Sequence, residues 1–224
     1  MFGPCTLART IVYIDGFNLY YRALRGTPHK WLDIAAMSAA ALPRHCQIER
    51  INYYTAHISG RVDPDAPRRQ HAYLRAIATL PKVVIHYGKF SSQSEVGGPG
   101  AAAGLPTAGR TAGGFAPQVA YVWKTEEKGS DVNLGVHLVR DAFRREFDIA
   151  AVLTNDTDLV EPVRIVTREL SMHVTLLAPS AKPSASPMAV SSSVRHVAPY
   201  IGPCQLPDPV VVPGRRPISK PTSW

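Results

Sequence analysis

The sequence predicts an α/β domain of three layers, with a central parallel β-sheet between helices. Short β-branched or apolar runs recur along the chain and alternate with segments of helical spacing, the pattern of strand–crossover–strand units. One run, Ala150-Ala151-Val152-Leu153, is apolar throughout, as a strand covered on both faces requires. Two runs also stop at acids, one at Asp15 and one at Asn155-Asp156. In open parallel sheets ligands bind beyond the carboxyl ends of the strands, so these acids are candidate site residues.

Each element has its own signal. Thr10 to Ile14 is a β-branched run that breaks at Asp15-Gly16-Phe17-Asn18, after which Leu19 to Leu24 continues with helix formers. Asp33 to Leu42 reads as a helix stopped by Pro43, Ile48 to Ile58 as a strand, Asp65 to Leu80 as a helix, and Val83 to Tyr87 as a third strand. Residues 91–117 turn to Gly, Ala, Pro and Ser, which bury too little surface to offset ordering entropy, so a flexible loop insertion is expected there. After Lys128-Gly129-Ser130-Asp131, residues Val132, Val136, Val139 and Phe143 recur at helical spacing, which places Asp131 at a helix start. Leu159 to Leu170 reads as a helix with Pro162 in its first turn, and Met172 to Ala178 as a last strand. Asp158, with Glu161 three residues on, has capping-box spacing and reads as a helix N-cap.

The 224 residues, 45% hydrophobic, suit one substantial core: a domain over 1–180 followed by a Ser/Pro-rich extension over 181–224, with one helical turn near Met188 to Val197. Cys5, Cys46 and Cys204 lie far apart, which supports neither a disulfide framework nor a zinc finger. No apolar stretch approaches the roughly 18 residues of a membrane span, so no membrane partner and a cytoplasmic location are expected. The formal charge of +8 favours a polyanionic partner, with RNA the expected one once the motifs are added. Arg68, Arg69 and Arg75 make one helix face basic.

Asp15, Asp131, Asp156 and Asp158 come from three segments and are all expected at one sheet edge. Four such charges within a few ångströms would repel by several kcal/mol at intermediate dielectric, so a cation is expected among them. All-oxygen ligands select hard ions, here Mg²⁺ or Mn²⁺.

Three segments carry a family resemblance: Tyr13-Ile14-Asp15-Gly16-Phe17-Asn18, Lys128-Gly129-Ser130-Asp131-Val132, and Thr154 to Pro162. In order, spacing and context the chain resembles the NYN domains, which are similar to PIN-domain ribonucleases. The resemblance implies a PIN-like fold and a metal-dependent ribonuclease with Asp15, Asn18, Asp131, Asp156 and Asp158 as catalytic residues. The four aspartates would be the metal ligands, and Lys128, Thr154, Asn155, Arg68 and Arg69 would contact substrate. The chain departs from the pattern at His137, where many NYN proteins have an acid, and at Thr154-Asn155, where many have Ser-Gly. His137 is then a second ligand, a phosphate contact or a plain helix-face histidine. Oligomeric state has no sequence signal.

Two rivals remain. One is a non-catalytic RNA-binding or protein-interaction domain of the same fold. The other is a phosphatase of haloacid-dehalogenase type, suggested by Asp156-Thr157-Asp158-Leu159-Val160, a motif that belongs after the first strand of that fold.

Overall fold

The computed structural model describes residues 7–60, 63–97 and 120–224, with the backbone alone for 89–97 and 120–128. Six parallel strands form the central sheet, in the order β3-β2-β1-β6-β7-β8. They are β1 (Ala8–Asp15), β2 (Cys46–Thr55), β3 (Val83–Tyr87), β6 (Ile149–Leu153), β7 (His173–Ala178) and β8 (Ser193–His196). The helices are α1 (Gly16–Leu19), which runs on as a π-turn to Leu24, α2 (Ile34–Ala41), α3 (Ala66–Ile77), α4 (Ser130–Phe143), α5 (Val160–Arg164), α6 (Ala185–Val190) and α7 (Ala198–Ile201). Among the described residues no helix is long and apolar enough to cross a membrane.

Strand alternation divides the interior into two cores. Val12, Ile14, Ile51, Ala151 and Leu153 face α1, α2, α3 and α7, whereas Ile11, Tyr13, Ala150 and Val152 face α4 and α5. The order runs outward from β1 to β3 on one side and through β6 to β8 on the other, so the winding reverses between β1 and β6. Ile14 pairs with Leu153 there, and Asp15 and Thr154 leave the sheet side by side at its carboxyl edge.

Four expectations change. Residues 91–97 belong to β4 (Lys89–Gly97), which pairs antiparallel with β5 (Ala120–Lys128) in a separate two-stranded ribbon. Backbone hydrogen bonds pair the mostly small and polar residues 91–97 with β5, so the composition of that stretch did not reveal a strand. The rest of the expected insertion, 98–117, lies outside the described residues. The domain also does not stop at 180: β8 pairs with β7, from Thr175↔Ser193 to Ala178↔His196. The Pro-rich tail packs Leu206, Val210 and Ile218 into the first core, and the Trp31 indole donates to Pro207 O at 3.0 Å.

The third change is in α4, where Leu134, Leu138 and Ala142 face the core while Val132, Val136 and Phe143 are exposed. Its apolar spacing identified the helix from the outer face. The fourth is the cap: Asp156, not Asp158, is the N-cap, and its side chain accepts from Asp158 N at 3.1 Å to start a 3₁₀ turn (Thr157–Leu159) leading into α5. Glu161 instead pairs with Arg164 at 2.6 Å.

Candidate active site

β1 delivers Asp15 to the carboxyl edge, where its side chain caps α1 by accepting from Asn18 N at 2.9 Å. The same carboxylate accepts from Asn18 Nδ2 at 2.6 Å and from Thr154 Oγ1 at 3.3 Å. Asn18 Oδ1 in turn accepts from Asn155 N at 3.3 Å, and Thr154 Oγ1 accepts from Asp156 N at 3.0 Å. Asp15, Asn18, Thr154, Asn155 and Asp156 thus form one hydrogen-bonded unit across the winding reversal. Ser184, just before α6, braces it by donating its N–H to Asn155 Oδ1 at 2.7 Å.

Asp15 is buried, and burial pushes its pKa up. The bonds from Asn18 and Thr154 oppose that rise, and the nearby charge of Asp156 adds to it. An ionised Asp15 is therefore short of positive charge.

The other expected acids are more loosely placed. Asp131 lies in the first turn of α4 and accepts from Val132 N at 2.9 Å, while Asp158 is exposed and gives the cap its N–H. Among the described residues no three His, Cys, Asp or Glu side chains gather closely enough to share a metal ion. The hard oxygen set of Asp15 and Asp156 still fits Mg²⁺ or Mn²⁺, because Mg²⁺ is commonly held by one or two carboxylates plus waters and substrate phosphates. Beside Asp131, the buried Ser130 hydroxyl has no hydrogen-bond partner among the described residues. Lys128 ends β5, and its side chain lies outside the described residues.

His137 is held by protein. Its Nδ1 lies 3.0 Å from the Tyr54 hydroxyl, and its ring stands edge-on to His86 at 4.8 Å. Deeper under α4, the fully buried Asp141 accepts from Tyr13 Oη at 2.8 Å, Arg50 at 2.7 Å and Arg140 at 2.7 Å. Sequence reasoning missed this network because each partner comes from a different element.

On the opposite face of β1 and β2, a cavity of about 180 Å³ begins at Gly16 and is walled by Tyr20, Tyr53, Tyr73 and Trp224. Gly16 packs so closely that a Cβ there would stand 2.7 Å from Tyr53 Cζ and Oη and from Tyr54 O, which demands glycine. Arg69 lines this cavity and is paired with Asp63; Arg68 points to solvent. The Tyr53-Tyr54 pair was the available signal, since adjacent strand residues face opposite sides.

The family model of the NYN domain matches residues 9–198. The chain belongs to the NYN domain family. Its PIN-like α/β fold places Asp15 and Asp156 at the switch point of the sheet. This NYN protein is 29% identical, over 96% of its length and 75% of the relative's, to the 6-hydroxy-3-succinoylpyridine 3-monooxygenase HspA of Pseudomonas putida. In fold it is similar to a protein of unknown function from Vibrio parahaemolyticus, with a TM-score of 0.50 and 16% identity over 88% of this chain and 96% of that one.

Proposed function

We propose that the protein is a metal-dependent ribonuclease that hydrolyses RNA phosphodiester bonds at Asp15 and Asp156. The observation that carries this reading is the acid pair at the switch point, locked by Asn18 and Thr154 where an α/β sheet presents its ligand site. Burial and the Asp156 charge disfavour an ionised Asp15, a deficit that a divalent cation would reverse. When bound, Mg²⁺ or Mn²⁺ would polarise the phosphodiester and lower the pKa of an attacking water.

The chain's own groups do the positioning. Asn18 and Thr154 fix the Asp15 oxygens, and the Asp156 cap fixes the entry to α5. Asp131 and Asp158, more loosely placed, would add negative charge near the ion without ligating it together with the pair. Lys128, Asn155 and Arg68 would hold the strand through its phosphates, in keeping with the charge of +8, whereas Arg69 is paired with Asp63.

A second reading, oxygenation of a hydroxylated pyridine, is favoured by the similarity to the Pseudomonas putida enzyme over 96% of this chain and 75% of the relative. One preparation separates the two. Incubated with a mixed RNA pool, it should cut RNA with Mn²⁺ and not with EDTA. Oxygen consumption with 6-hydroxy-3-succinoylpyridine and a reductant, without RNA cleavage, would replace the proposal by the second reading. RNA bound but uncut in Mn²⁺ would leave a binding domain.

A further inference from the structure

We infer that the cavity beside Gly16 binds one planar heteroaromatic ring carrying an anionic substituent. Size limits the occupant, since an engineered apolar cavity of roughly 150 Å³ admits benzene, and this one holds about 180 Å³. Its walls are aromatic: Tyr53 and Tyr73 meet edge-on at 6.4 Å, and Tyr73 and Trp224 stand 5.9 Å apart. Such walls favour stacked or edge-on rings.

Two polar groups select the rest of the ligand. Tyr53 is 5% exposed, and among the described residues its hydroxyl has no hydrogen-bond partner, whereas the Tyr73 hydroxyl is already given to Leu32 O at 3.0 Å. That hydroxyl is not sealed from solvent, so a ring nitrogen or ring carbonyl would accept from it in place of water. Burial pushes the pKa of Tyr53 up, so the group stays protonated and donates. Lys30 also lines the cavity and makes no ion pair among the described residues, so it is free to meet a carboxylate or phosphate. Arg69, tied to Asp63, is not.

The ring could be a base of a bound RNA or part of a free small acid, and the probes distinguish the two. The inference does not rest on the ribonuclease reading, because binding is measured by isothermal titration calorimetry in EDTA, where no cleavage is expected. The probes are uridine 5′-monophosphate and pyridine-3-carboxylate. Saturable binding of the nucleotide alone supports a base subsite; binding of the pyridine acid alone supports a free ligand; binding of both supports recognition of the ring itself. Lys30→Met should weaken binding roughly tenfold, and Tyr53→Phe should weaken it several-fold. Ala66→Phe, which fills the cavity from the start of α3, should abolish it. Absence of saturable binding by either probe at millimolar concentration, or unchanged binding in Ala66→Phe and Lys30→Met, overturns the inference.

Discussion

Asp15 carries two roles that ordinary helix punctuation would not combine, a cap for α1 and a buried charge beside Asp156. Asp15→Asn removes the charge yet keeps an oxygen to accept from Asn18 N. In EDTA the variant should unfold within about 1 kcal/mol of wild type, the size of a weakened cap. Wild type should gain about 1.4 kcal/mol when free Mn²⁺ is ten times its dissociation constant, and Asp15→Asn should gain much less. Thermal unfolding with and without Mn²⁺ checks this, and equal ion-induced gains would leave Asp15 as a cap only.

His86 gives a second prediction at this scale. Burial first, then the charges of His137, Arg50 and Arg140, lower its pKa from 6.5 to about 4, against the opposing charge of Asp141. The folded protein then binds fewer protons than the unfolded chain between those values, so stability is present above pH 6.5 and is lost as pH falls toward 4. Urea midpoints across that range should drop, and His86→Gln should flatten the drop; an unchanged slope would show that other groups set it. Asp15 and Asp156 were legible as single residues because they end apolar runs. Tyr13, Arg50 and Asp141 were not, since they meet only where β1, β2 and α4 come together in the fold.

Among the elements, α4 shows what periodicity alone leaves open. It is apolar on two faces, and spacing cannot say whether Leu134 and Leu138 or Val132 and Val136 turn inward. The close approach of α4 to α5 decides. A Cβ on Gly135 would stand 2.8 Å from Pro162 Cγ, a ring with little freedom to yield. Although alanine is favoured over glycine in helices by about 1 kcal/mol, Gly135→Ala should therefore destabilise by about 1 kcal/mol or more through overpacking. Chemical denaturation checks the sign, and a stabilised variant would contradict this packing. The strands that read clearly were the buried central ones. β8, Ser-Val-Arg-His, has no apolar run, as befits a short edge strand that charge keeps from pairing with other chains.

At the scale of the whole molecule, the domain closes only with its tail. Leu206 N donates to Trp31 O at 2.9 Å, Val210 and Ile218 bridge each other, and Leu206, Val210 and Ile218 are buried in the first core. Composition hid this, because Pro-rich sequence has no regular strand or helix signal while its scattered apolar residues still find a core. Cutting after Gly202 should cost roughly 5 kcal/mol or more, from about 1.5–3 kcal/mol for each large apolar side chain lost, a large part of a domain's usual stability. Circular dichroism should then show a strongly lowered melting temperature or no cooperative transition, and an unchanged one would mean that the tail merely lies on the surface.

Asp15 and Asp156 stand at the switch point of the sheet, where the proposed metal-dependent RNA hydrolysis would take place. The most direct measurement is the initial rate of RNA cleavage by wild type and Asp156→Asn in Mn²⁺, with EDTA as the control and thermal unfolding to show that the variant folds. Expected are cleavage by wild type in Mn²⁺, none in EDTA, and a loss of at least about a hundredfold in folded Asp156→Asn, the scale of removing one electrostatic contact to a transition state. Equal rates for wild type and Asp156→Asn would contradict the proposal.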